Sequence, residues 1–462
     1  MSDEIYYHVG RIILILAFIY IILRAYYLSI TYDEAYTYLM YATKSYFGIF
    51  SEGSIANNHF LNTVLIKFFV GIFGVSEFVV RIPALIGASI YLISAYYISK
   101  LLFSKYYFLA SVSLLVSNAL LMDFLPLARG YSLAIGCFMV ALYFLLKEER
   151  NGIVILMCTL AVLSSLSFLY IYAAFILLLT YRELGDVRSM ASRVILPVGC
   201  SALFLFFTLF SAVRWMQRAE QFYFGGTAGF WQDTVQSLIS YTLYDNLYNI
   251  ILIEISRVIV MVLSGLALLA AYRTREKRLL ILSFILVIVI LLIHIHHALG
   301  TRFILDRAAI FFIPLFTLLI VLAWQAIPSR LTGAFFSIII ALVLFNFIMS
   351  INISHTLAWK YNANTEDAII EMINDYKIGQ KKIGITWLYD SAVNFYRVKY
   401  NLTWLEPATR DGPDELCDYY LIMGDPNMSG VSEKYVLNKY NVSYKYYPLS
   451  NSYFAKKKMD SN

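Results

Sequence analysis

Residues 31–41 read TYDEAYTYLMY, two adjacent carboxylates among tyrosines directly after the first strongly apolar run. Adjacent residues on a helix point about 100° apart, and on a strand they face opposite ways. Asp33 and Glu34 are therefore not a same-face acid/base pair; one can aim at a site while the other serves structure. The structural reading makes Asp33 the cap of a helix running from about 34 to 46, a common place for Asp. An acid at a helix start can also face a cavity, so the two readings are compatible.

The chain around this motif is 60% hydrophobic and only 14% charged over 462 residues, whereas soluble domains carry roughly a quarter charged residues. Several apolar runs approach or exceed the ~20 residues that span hydrocarbon. The composition is that of a polytopic α-helical membrane protein. Its net charge of +6 comes from basic residues scattered over loops, which argues against nucleic acid as a partner and fits basic cytoplasmic loops. The first run carries Arg11 and Arg24 and has no small-residue cleavage site, so it reads as a retained anchor. Three of the four cysteines lie in apolar runs, and no disulfide framework is implied.

Hydropathy predicts about 11 transmembrane helices, at 9–29, 78–102, 107–123, 131–147, 153–165, 167–181, 194–213, 248–272, 279–299, 308–325 and 332–352. With a cytoplasmic N-terminus, the inside loops are the basic ones: 100–105, 147–150, 182–193 and 273–278. This parity requires 153–181 to be two short segments, which are tolerable when packed inside protein. Three outside regions follow: 30–77, 214–247 and the tail from 353. The expected domains are thus 1–352 in the membrane and 353–462 as a small extracytoplasmic α/β domain. In that tail EDAIIEMINDY has helical spacing, while KKIGITWLY and CDYYLIMGD read as short buried strands. Sequons at Asn352, Asn401, Asn427 and Asn441 fall on the outside in this topology, and matter only in a glycosylating host.

On the same predicted side as Asp33 lie Asn57, Asn58, His59 and Asn62, with Arg81 in SEFVVRIPAL and Arg129 in LPLARGYSLA. HIHHALGTRFILDRAAIFFIP adds His294, His296, His297, Arg302, Asp306 and Arg307. Ionisable groups beside membrane helices usually face a cavity or a partner. Acids and cations gathered at the outer ends of crossings suit a lipid with an anionic phosphate, which arginine grips in bidentate fashion.

Asp-Glu after the first crossing, a His-centred motif some 25 residues later and Arg-Ile-Pro-Ala-Leu opening the next crossing resemble the GT-C superfamily. The order ARGYSLA, FLYIYAA, LDRAAIFFIPL and a tail containing NFYR is similar to its protein O-mannosyltransferase and aminoarabinose-transferase group, glycosyltransferase family 39-like. The resemblance covers about 1–350, and the tail less securely. It implies a GT-C fold and an inverting glycosyltransferase using a polyprenyl-phosphate-linked sugar donor, with an acceptor protein, glycan or lipid on the extracytoplasmic face. By that resemblance Asp33 is the catalytic base and Glu34 the second acid, orienting the loop or helping to bind acceptor or a divalent metal ion. His59, Arg81, Arg129 and Arg302 are the implied donor-phosphate contacts. The family's sugar-recognition residues do not carry over; by residue type and predicted side alone, Tyr32, Asn58, Asn62 and His297 are the expected substrate-lining residues. Relatives often carry His-Pro-Pro-Leu where this chain reads His59-Phe60-Leu61-Asn62, so the proline-fixed turn is missing here.

Each feature has a plainer reading. His294 and His297 share a helical face but lack a matched carboxylate for a metal site. Arg81 can simply anchor a helix end at the headgroups, and Asp306–Arg307 can be an ion pair. The rival class, a transporter or flippase of polyprenyl-linked sugars, should place ionisable groups at the midplane on broken helices and show an internal repeat. Neither feature appears in the sequence.

Overall fold

The protein, described from a computed structural model, is seen over residues 3–458 apart from 52, 54, 56, 222–223, 247, 426–435, 437 and 441. Sequons Asn427 and Asn441 lie outside the described residues. The chain divides into two compact units. The first comprises 1–22, 50–62 and 83–351, and the second 23–49, 63–82 and 352–462.

Seven described helices are long and apolar enough to cross a bilayer: Asp3–Tyr27, Glu77–Leu102, Leu166–Glu183, Val187–Arg218, Ile250–Thr274, Lys277–Ala298 and Arg330–Ser350. Five shorter apolar helices accompany them: Phe60–Phe73, Lys105–Val116, Tyr131–Lys147, Asn151–Ser164 and Phe312–Ala326. This is an integral, multi-pass membrane protein. Two differences from the hydropathy reading stand out. The region 30–77 contains the helix Phe60–Phe73, whose 14 residues are too few to register as a crossing. The run 107–123 ends as a helix at Val116 because Asn118 starts a new one, its side chain accepting from the Leu121 amide at 2.9 Å. Segment 153–181 is indeed two helices, broken at Ser165, whose backbone is extended.

Length and burial divide the labour within the first unit. Short helices Tyr131–Lys147 and Phe312–Ala326 are buried along most of their length and pack on several neighbours. In Arg330–Ser350 and Ile250–Thr274 only 6% and 17% of the apolar window is covered by protein, leaving the rest for lipid. Short segments survive because protein, not lipid, surrounds them.

The four basic loops meet at one end of this unit. Glu148 pairs with Arg182 at 3.7 Å and with Lys277 at 2.5 Å. Arg278 donates to the Leu101 carbonyl at 2.6 Å. The Lys100 ammonium lies over the Tyr7 ring at 4.9 Å, which brings the N-terminal segment to the same end.

In the second unit the tail folds as a four-stranded sheet of order β1-β2-β4-β3, with β1 at Ile383–Ile385, β2 at Tyr419–Met423, β3 at Val442–Tyr447 and β4 at Ser452–Lys457. β1 and β2 run parallel through the helix Asp390–Lys399, while β3 and β4 form an antiparallel hairpin. The helix Thr365–Asp375 and strands β1 and β2 are those the sequence pattern predicts. Tyr420 and Ile422 share one buried cluster with Ala455 and Val442, as period-two alternation requires.

Candidate active site

The motif helix is Tyr32–Thr37, and its cap is Thr31, not Asp33. The Thr31 hydroxyl accepts from the Glu34 amide, and the Glu34 carboxylate accepts from the Thr31 amide at 3.0 Å. This capping box satisfies two orphan donors at once and places Asp33 in the first turn, where the helix dipole favours an acid. The helix is also shorter than expected, passing into a π-turn at Tyr38–Ala42.

The neighbouring acids take opposite environments. Glu34 has no exposed surface, whereas Asp33 is half-buried. Both Glu34 oxygens accept from Arg81, Oε1 from Nε at 2.9 Å and Oε2 from Nη2 at 2.8 Å. The remaining Arg81 donors bond the carbonyls of Ala25 at 3.1 Å, Leu28 at 2.6 Å and Ser29 at 2.9 Å. An arginine has five N–H donors, and all are committed. The expectation that Arg81 grips the donor phosphate is thereby corrected: it is sealed in the protein and holds the chain around the motif. Glu34 is likewise closed to substrate and metal.

The tail supports the same frame. The Tyr396 hydroxyl accepts from the Ile30 amide at 2.9 Å, and the Phe395 ring meets Tyr38 edge-on at 5.6 Å. Both belong to the NFYR stretch. The Asn362 side chain accepts from the Tyr32 amide at 2.8 Å. Arg24, nearly fully buried, donates to the carbonyls of Asn352 at 2.8 Å and His355 at 3.0 Å. Lys399 bridges Glu77 at 2.7 Å and Glu366 at 2.5 Å. Burial opposes the Lys399 charge, but hydrogen bonds to Glu366 and Glu77 prevail and raise its pKa. The Tyr32 phenol is pushed up to about 12, by burial first and the Asp390 carboxylate second, so it stays neutral beside Asp33. Sequence reasoning missed Glu77, Glu366 and Lys399, because Lys399 lies 322 positions from Glu77 and 33 from Glu366, with no local pattern linking them.

In the first unit His59 Nδ1–H donates to the Ser164 carbonyl at 2.8 Å, and the ring meets Tyr131 at 4.8 Å. Gly130 makes this approach possible, since a Cβ there would strike both the Ser164 carbonyl and His59. Burial, then the Arg129 charge, hold the His59 pKa well below its usual value. With Nδ1–H committed, neutral His59 offers only an acceptor at Nε2, and that atom has no hydrogen-bond partner among the described residues. The expected phosphate contact is therefore corrected: neutral His59 has no free donor for a phosphate oxygen, only an acceptor at Nε2.

Around it, the Asn62 amide donates to the Ala128 carbonyl at 2.9 Å, Arg129 donates to the Asn57 carbonyl at 3.3 Å and lies 6.0 Å from the Tyr131 ring centre, and Asn58 is buried. Buried Asp123, which the sequence reading passed over inside an apolar run, accepts from the Tyr244 hydroxyl at 2.8 Å. Arg302 is exposed beside Phe303, whose backbone pairs with Gly226. His297 stacks on Phe303 at 4.0 Å with Nδ1 on the Thr301 carbonyl at 2.7 Å, while His296 pairs with the Tyr170 hydroxyl at 2.6 Å and His294 with the Ile290 carbonyl at 2.8 Å. The three histidines thus have separate hydrogen-bond partners. Asp306 and Arg307 form an ion pair at 3.8 Å. Among the described residues no three His, Cys, Asp or Glu side chains come together as a metal site.

No family model matches the chain, and no curated protein does. Among solved structures it is similar to ArnT from Cupriavidus metallidurans in the apo state, at 12% identity and a TM-score of 0.57, covering 98% of each chain. It is also similar to ArnT from the same organism bound to undecaprenyl phosphate, at 10% identity and a TM-score of 0.53, covering 99% of each chain. The chain shares its fold with these ArnT structures over nearly its whole length.

Proposed function

We propose that the protein is an inverting glycosyltransferase that moves a sugar from a polyprenyl phosphate to an acceptor hydroxyl on the extracytoplasmic face. The observation that carries this reading is the end-to-end likeness to ArnT, combined with a half-buried acid held at the start of the motif helix by a fully buried frame. The undecaprenyl phosphate bound by the second ArnT structure supports a polyprenyl-linked donor here.

In this reading Asp33 is the base. It takes the proton of the acceptor hydroxyl as that oxygen attacks the anomeric carbon. The bond from the anomeric carbon to the phosphate oxygen breaks, and its electron pair leaves with polyprenyl phosphate. One displacement inverts the anomeric configuration. Arg129 and Arg302 stabilise the growing phosphate charge, a role that the saturated Arg81 is not free to fill. Glu34 and Arg81 are positioning residues that fix the Asp33 backbone. Asn58, Asn62 and His297 line the substrate side, and His59 contributes a fixed acceptor there. The basic loops gathered at one end of the first unit support a cytoplasmic N-terminus, and the crossing parity read from the sequence then makes the tail extracytoplasmic.

Mass spectrometry of lipid copurifying with the protein tests the donor class. A polyprenyl phosphate or its sugar conjugate is expected; exclusive recovery of bulk phospholipids speaks against it.

A further inference from the structure

A group of aromatic and charged side chains beside Asp33 is left unused by the proposed chemistry. Trp387 opens a short 3₁₀ turn after β1 and keeps 42% of its surface exposed. Its ring meets Tyr32 edge-on at 6.3 Å, and Tyr32 stacks with Tyr36 at 6.1 Å and 21°. The Arg410 guanidinium lies 5.8 Å from the Trp387 ring centre. It is fixed there by donating to the Asp390 carboxylate and to the Tyr32 hydroxyl. Tyr32 is the chain neighbour of Asp33, and the Asp33 charge acts on its phenol.

A pyranose has an apolar C–H face and an edge of hydroxyls. It is recognised by an aromatic surface with fixed donors and acceptors at its rim, the mixed lining that small-ligand sites share. Indole and phenol rings supply both area and a polar tip, and a planar guanidinium paired with a carboxylate presents donors and acceptors in one fixed array. An indole that served only to anchor the domain in lipid would have apolar neighbours. Here it meets the Tyr32 phenol and the Arg410 guanidinium, the first stacked on Tyr36 and the second held by the Asp390 carboxylate.

We propose that Trp387, Tyr32, Tyr36 and the Asp390–Arg410 pair form a pyranose-binding subsite, and that the acceptor is therefore a saccharide. The assignment of this subsite to the acceptor rests on Asp33 being the base.

The test reads binding without donor or turnover. Full-length protein in nanodiscs is probed by saturation-transfer NMR with methyl glycosides of glucose, galactose, mannose and N-acetylglucosamine. Saturation of the ring protons of at least one glycoside is expected. The signal should fall at least tenfold in Trp387→Ala and at least fivefold in Arg410→Ala, and stay within threefold in Trp387→Tyr and Asp33→Asn. The Tyr and Asn variants separate a binding role from misfolding and from chemistry. Equal signals in wild type and Trp387→Ala, or none from any glycoside, overturn the proposal, as does quenching of Trp387 by brominated lipid, which marks a membrane anchor. Because Asp33→Asn is expected to bind normally yet not transfer, loss of the subsite and loss of the transferase reading give different results.

Discussion

The Arg81 guanidinium clasps both oxygens of Glu34, and neither side chain has any exposed surface. Removing one partner of such a pair leaves an uncompensated buried charge, a cost of about 3–5 kcal/mol. Glu34→Ala and Arg81→Ala should therefore each lower thermal stability in detergent sharply. Arg81→Lys should rescue little, because a lysine cannot make the same bidentate contact and also reach three carbonyls. Unfolding of Arg81→Lys at the wild-type temperature would show that the clasp does not hold the motif.

His59 makes stability pH-dependent in a definite direction. Its folded pKa lies well below the ordinary value, so the unfolded chain binds a proton that the folded chain refuses. Stability from this group is present above about 6.5 and is lost as pH falls below it, at up to ~1.4 kcal/mol per pH unit. Thermal unfolding at pH 7.0 and 5.5 should show a larger drop for wild type than for His59→Gln. Equal drops would mean that His59 titrates normally.

Gly130 is the glycine on which the His59–Ser164 bond depends. Gly130→Ala should destabilise by about 1–3 kcal/mol through overpacking, and should relax the pH response toward that of His59→Gln. Unchanged melting of Gly130→Ala would show that the two segments can separate at no cost.

The proposed orientation is checked by labelling intact cells with a membrane-impermeant maleimide, in a Cys200→Ala background. Glu406→Cys in the tail should react and Glu149→Cys in the basic end should not. The reverse pattern would invert the assignment.

How far the sequence reaches is visible in particular residues. The long crossings and the strands at Ile383–Ile385 and Tyr419–Met423 are legible because periodicity and apolar length are local properties. Helix Phe60–Phe73 is not, because its 14 residues fall short of the ~20 that mark a crossing. The cap at Thr31 was open to detection, since Thr followed three residues later by Glu is a capping-box signature; the more prominent Asp-Glu pair masked it. The roles of Arg81 and Lys399 were not, because an arginine that binds phosphate and one that binds five protein acceptors look alike in sequence. Only the placement of Glu34, Ala25, Leu28 and Ser29 around Arg81 distinguishes them.

The central claim is that Asp33 removes the acceptor proton while the buried clasp beneath it only holds it in place. The most direct measurement is transfer of radiolabelled sugar from a polyprenyl-phosphate donor in host membranes, comparing wild type with Asp33→Asn at matched expression. Loss of a general base should lower the rate by ~10²–10⁴-fold while thermal stability stays near wild type. Transfer by Asp33→Asn at the wild-type rate would contradict the account.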